Sequence, residues 1–185
     1  MVTKLLNHNG CVHCDLRQAD LKGASLRGAL LQGARLEGAD LSAANLNGAK
    51  FYKSRLASAN LSGANLENSQ FDEADLAAAR LAGASMARSS LDQANLARCD
   101  LSNADLRGAY LVGAFLKDAV LAGADLRKAN LFGANLHGAS LEQASLEGAR
   151  WYNGKICAPG SVGRCLTDQG AWEPLRSQAP AKMAP

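Results

Sequence analysis

Aromatic residues are scarce, only 5% of a 185-residue chain, so the core has to be assembled from aliphatic side chains. No apolar run approaches the roughly 18 residues that a membrane-spanning helix needs, which excludes insertion of that kind. The opening "MVTKLLNHNG" has none of the charged, apolar and cleavage regions of a secretory leader. A chain that begins at a mature N-terminus would look the same. Nor is one sign of charge in excess: 20 Lys and Arg face 17 Asp and Glu, a net +3, too little on its own to imply a polyanionic partner. Residues 15–151 hold fifteen basic and fifteen acidic side chains, and the surplus lies on Lys4, Lys155, Arg164, Arg176 and Lys182 against Asp168 and Glu173. The length fits one ordinary domain able to bury a sizeable core.

What the chain has instead is a period of five. From Leu16 to Trp151 every fifth residue, position i, is large and apolar; of 28 such positions 24 are Leu, and the rest are Phe51, Phe71, Met86 and Trp151. Two residues earlier, from Cys14 to Ala149, the side chain is always small: Ala except at Cys14, Ser54, Ser69, Ser89 and Cys99. A helix rotates by about 500° over five residues and would scatter the leucines around its cylinder. A flat strand would send alternate leucines to opposite faces. A chain that turns one corner per pentapeptide aims them all at a common axis, and four sides of five residues close a square. Thirteen of the eighteen glycines lie in the repeat, all at i+2, where a corner wants unusual backbone angles. At i−1 Asp and Asn recur, from Asp15 to Asn135; their short side chains suit support of tight turns better than a ligand role.

The units "ADLKG", "ADLRG" and "ANLHG" resemble the pentapeptide repeat family, and the likeness runs unbroken over about three quarters of the chain. It implies an all-β solenoid, a right-handed quadrilateral parallel β-helix of about seven coils. At about 4.8 Å per coil the column would be on the order of 34 Å tall. Such a shaft stacks coil on coil and has no room for a ligand cavity. Phe51 and Phe71, twenty residues apart, are expected to stack as part of the core.

The two ends break the pattern, and open coil edges need covering. We expect an N-terminal cap over residues 1–13, with a short helical turn laying Val2, Leu5 and Leu6 on the first coil. The β-helix would then run over 14–153. An irregular C-terminal cap over 154–176 would use Trp151, Ile156, Val162, Leu166 and Trp172, and 177–185 would be a disordered tail. Cys157 and Cys165 flank the turn-rich "APGSVGR", which can bring their sulfurs together; a disulfide is favoured over two free thiols, and would imply an oxidising compartment. The end segments are also similar to those of cyanobacterial pentapeptide repeat proteins, some of them exported. The expected location is therefore the thylakoid lumen or periplasm if a leader has been removed, and the cytoplasm otherwise.

"CVHC" at 11–14 invites a zinc or redox reading. Cys14 already occupies a small inward position, however, and His8 and His13 make an incomplete ligand set. A capping role is favoured, with the state of Cys11 and Cys14 left open; no metal and no cofactor is expected. His137 sits on an outer wall without a cleft, and the carboxylates form no apolar-flanked pair, so no catalytic residues are assigned. Folding the chain modulo twenty reveals one apolar stripe: Val112, Phe132 and Tyr152 in adjacent coils, Tyr110 on the same side, and Phe115 and Val120 starting the next two walls. This is an expected contact surface for a protein partner or a second copy, the alternative being that the tail lies over it. Arg35 above Arg55 is a candidate pair for holding an anion, although Asp15 and Asp75 bracket them. The expected function is a noncatalytic interaction scaffold, without nucleic-acid binding. The alternative is a DNA mimic that modulates DNA gyrase, as some members of the family do, and the neutral repeat region disfavours it.

Overall fold

The computed structural model describes residues 2–167 and 172–173. Residues at i−1 form parallel bridges, each to the residue twenty places on, in an unbroken ladder from Gly10↔Leu30 through Asp15↔Arg35 to Asn130↔Arg150. Twenty residues therefore complete a coil and five make one side, which gives a parallel β-helix with four faces.

The backbone hydrogen bonds show how a quintet sustains this path. In the unit around Leu16, the Leu16 N–H donates to the Arg35 carbonyl (2.7 Å) and the Gln18 N–H to the Glu37 carbonyl (3.1 Å) of the following coil. The Arg35 N–H donates back to Cys14 O at 2.8 Å, and the Ala19 N–H closes a turn onto Leu16 O at 3.1 Å. Every position i+2 from Gln18 to Gly148 has a positive φ, whether or not it is glycine. With only the third turn residue left-handed, each corner is a type II turn.

This leaves the N–H of i+1 outside the ladder, and a backbone donor without a partner is costly where water is scarce. The Asp and Asn side chains at i−1 accept it. All thirteen, from Asp15 to Asn135, receive that N–H on Oδ1 at 2.9–3.3 Å. The recurrence of these residues is thus a solution to one hydrogen bond per corner.

Inside, the residues at position i from Leu16 to Trp151 are buried, with alanines from Ala29 to Ala149 between them. Phe51 and Phe71 stack at 4.5 Å between ring centroids with planes 2° apart, because the twenty-residue period superposes them. Three buried serines replace alanine without leaving a donor idle: Ser54 Oγ donates to Phe51 O, Ser69 Oγ to Leu66 O and Ser89 Oγ to Met86 O, at 2.6–2.7 Å. Cys99 Sγ lies 3.0 Å from Leu76 O, and burial pushes its thiol up to about 12.

At the N-terminal end α1 (Val2–His8) buries Leu5 against the first coil. Leu6, expected to lie there too, is exposed, since a helix presents neighbouring residues about 100° apart. Past Trp151 the chain reverses into antiparallel bridges, Arg150↔Ile156 and Ser145↔Val162. β1 (Cys165–Leu166) then pairs antiparallel with β2 (Trp172–Glu173). Ile156 and Val162, expected as covering residues, are exposed instead. They oppose outward-facing partners, and Cys157, Ser161 and Cys165 take the buried places. The expected tail 177–185 lies outside the described residues.

Candidate interaction surface

Four side chains place substantial apolar area in solvent near the C-terminal end of the column: Tyr110 at 53%, Phe115 at 52%, Phe132 at 45% and Val120 at 40% exposed. The fold positions them simply. Tyr110, Phe115 and Val120 occupy successive i−1 places, at the middle of three successive faces, and Phe132 stands at the corner between the first two. They wrap the rod as a band rather than lining a single wall.

The expected stripe of Val112, Phe132 and Tyr152 is only partly open. Val112 is half-buried and its N–H donates to Asp92 Oδ1 at 2.8 Å. Tyr152 is half-buried, packs on the core and tilts against the Trp151 ring at 5.8 Å. Phe132 carries the Arg150 guanidinium 4.9 Å over its ring. That cation belongs to the next coil, a vertical neighbour that the modulo-twenty map contains but that hydrophobicity alone does not mark.

Arg35 and Arg55 are adjacent across a bridge. The acid between them is Glu37, 3.9 Å from Arg35 Nε and 3.5 Å from Arg55 Nε, so a carboxylate of the chain already occupies the space where an external anion would sit. Its signal in the sequence was "RLE" at 35–37, with unlike charges at i−1 and i+1 on the same side of the chain.

The cysteines form two bridges, one at each end. Cys157 is joined to Cys165, with Cα atoms 4.9 Å apart. Cys11 is joined to Cys14, with Cα atoms 5.3 Å apart, linking the two inward positions of a single corner where other repeats put Leu and Ala. The His13 side chain lies over Gly33 in the next coil. Among the described residues no group of three or more His, Cys, Asp or Glu is placed to hold a metal ion, and no helix is long and apolar enough to cross a membrane.

Comparison with known proteins agrees with this geometry. The family described as pentapeptide repeats matches in eight copies, over stretches including residues 11–48, 34–70, 69–108, 99–138 and 109–148. Among solved structures, QnrB1, a plasmid-mediated fluoroquinolone resistance protein, is similar with a TM-score of 0.65 at 20% identity, over 80% of this chain and 77% of its own. A pentapeptide repeat protein of the Arabidopsis thaliana thylakoid lumen has a TM-score of 0.50 at 25% identity, over 57% of this chain and 79% of its own. HetL, a pentapeptide repeat protein involved in heterocyst differentiation regulation in the cyanobacterium Nostoc, is 29% identical over 84% of this chain and 97% of its own, with a TM-score of 0.47. No curated protein is similar to the chain at a significant level. A continuous five-residue period, a twenty-residue bridge ladder and a family match from residue 11 to residue 148 lead to one conclusion: the chain belongs to the pentapeptide repeat family, whose fold is the right-handed quadrilateral β-helix.

Proposed function

We propose that this protein is a noncatalytic scaffold that engages a protein partner through the band formed by Tyr110, Phe115, Val120 and Phe132, with Val112 and Tyr152 at its margin. In the same reading the column has seven coils, and its ends, residues 1–13 and 154–176, serve as caps. The observation that carries the proposal is the grouping of three exposed aromatic side chains, Tyr110, Phe115 and Phe132, with Val120 on neighbouring faces of adjacent coils; the other large exposed apolar side chains of the repeat, Leu30 and Tyr52, stand apart from them in earlier coils. Burying such rings is among the largest contributions available to an interface. A solid shaft lined by Leu and Ala supports a role carried by the outer skin. Neighbouring Asp and Arg pairs, such as Asp105 with Arg107 and Asp125 with Arg127, cancel charge locally, which favours a scaffold over a mimic of acidic DNA.

The test combines sedimentation velocity of the purified chain with photo-crosslinking in native extract from a benzophenone side chain at position 117, an exposed place between Phe115 and Val120, in both wild type and variant. Wild type should give a discrete crosslinked protein adduct or a dimer, and the Tyr110→Ser, Phe132→Ser variant should lose it at unchanged far-ultraviolet circular dichroism. Equal adducts in both proteins, or none in wild type, would sink the reading.

A further inference from the structure

The sequence "DLR" occurs at 15–17, 105–107 and 125–127, and in each case it builds the same clamp. Asp at i−1 and Arg at i+1 face the same side, and the carboxylate takes the arginine in two parallel bonds. Arg107 Nε donates to Asp105 Oδ1 at 2.8 Å and Nη2 to Oδ2 at 2.6 Å. Arg127 Nε donates to Asp125 Oδ1 at 2.9 Å and Nη2 to Oδ2 at 2.6 Å. Both guanidiniums are thereby fixed in place, and the Nη1 of each makes no hydrogen bond among the described residues.

Only the second and third clamps are one coil apart. Asp105 and Asp125 are bridge partners, so their arginines stand one above the other at about the 4.8 Å spacing of neighbouring strands. Arg107 Nε also lies 3.8 Å from Asp125 Oδ2, which ties the two rungs together. Beside them runs an open groove of about 320 Å³ lined by Arg107, Gly108, Arg127 and Lys128. Lys128 has no carboxylate within ion-pair distance among the described residues. Gly108 contributes no side chain to the groove.

We propose that this corner binds a compact ligand carrying two adjacent anionic groups, of which a diphosphate is the simplest. Each Nη1 edge offers two N–H donors to one anionic group, the rung spacing separates the two groups, and the Lys128 ammonium closes the side of the groove. Arginine is suited to this because its planar fork can hold an aspartate on one edge and an oxyanion on another. Holding the forks in place before the ligand arrives lowers the ordering cost of binding. Affinity rests on this donor geometry rather than on net charge, since Glu147 acts on Arg127 from the following coil. The clamp at Asp15 and Arg17 is an internal control: its neighbour one coil on is Glu37 instead of a second arginine.

Calorimetric titration of the full chain with pyrophosphate in low-salt buffer tests the proposal. Wild type should bind one pyrophosphate saturably and orthophosphate at least several-fold more weakly. Arg107→Lys, Arg127→Lys keeps both charges but removes the forks, and should weaken pyrophosphate at least tenfold. Arg17→Lys should leave it unchanged. If the double variant lost its far-ultraviolet spectrum, Lys128→Gln, an exposed change, would take its place with a several-fold loss expected. Absence of saturable binding to wild type, equal affinity for the two probes, retention of affinity in the double variant or Lys128→Gln, or a matching loss in Arg17→Lys would overturn it.

Discussion

Ala78 is held at φ 56° with only a methyl group to justify a conformation that disfavours any Cβ. A left-handed L-residue costs roughly 1–2 kcal/mol, and a glycine introduced there gives back about 0.4–1 kcal/mol through the greater freedom of the unfolded chain. Ala78→Gly should therefore stabilise the protein by roughly 0.5–1 kcal/mol. The reverse experiment is available at Gly28, where φ is 69° and an added Cβ would meet nothing within 4 Å. Gly28→Ala should destabilise by about 1 kcal/mol through backbone strain alone. Urea midpoints for the two variants decide it: shifts in opposite directions are expected, and two unchanged midpoints would mean that the corner relaxes to accept either residue.

One element is one corner, and its most sensitive polar group is the carboxylate or carboxamide at i−1. At Asp40 the bonds from the Ser42 side chain and backbone N–H hold the carboxyl below its ordinary range. The bonds from Arg107 and Arg127 do the same for Asp105 and Asp125. A group whose folded pKa is depressed stabilises the fold above its unfolded value, 3.8 for Asp, and that stabilisation is lost as pH falls through the folded value. Resistance to urea should thus fall below about pH 4. Asp40→Asn, which keeps an Oδ1 acceptor for the Ser42 N–H but cannot titrate, should show a smaller loss between pH 6 and pH 2. An unchanged pH profile in that variant would remove Asp40 from the account. Much of this element was legible beforehand. Leu at i, a small residue at i−2 and a turn-former at i−1 are demands of a narrow shaft and of an unpaired N–H, and each appears as a residue type at a fixed phase. The left-handed angle at Gln18, Lys53, Glu73 or Arg98 was not legible, because it is imposed by the coil on side chains that do not ask for it. The reach of Glu37 to its second arginine, Arg55, and of Arg150 over Phe132 depends on neighbours eighteen residues away in the next coil. At the C-terminal end the phase is lost, and hydrophobicity wrongly favoured Ile156 and Val162 over Cys157 and Cys165 for the buried places.

Across the whole molecule, stability accumulates from coil to coil, since each touches only its neighbours, and the two terminal coils have a neighbour on one side only. Both carry a cystine. The closed loops are short, so loss of either bridge should cost about 2 kcal/mol on chain-entropy grounds, slightly more for Cys157–Cys165 than for Cys11–Cys14. A cost confined to the ends of a linear array acts locally. Dithiothreitol should accelerate amide hydrogen exchange first around residues 10–30 and 140–166, leaving the stretch around Phe51, Phe71 and buried Cys99 protected. Hydrogen exchange read by mass spectrometry, with intact mass under nonreducing conditions to count the bridges, makes the comparison. Each cystine has two hydrogen atoms fewer than the pair of thiols, so a fully bridged chain, with both cystines, should weigh about four mass units less than the reduced one. Uniform acceleration along the column would show instead that the rod unfolds as one cooperative block, in which case the terminal bridges would stabilise every coil equally and fraying would not be the route by which it opens.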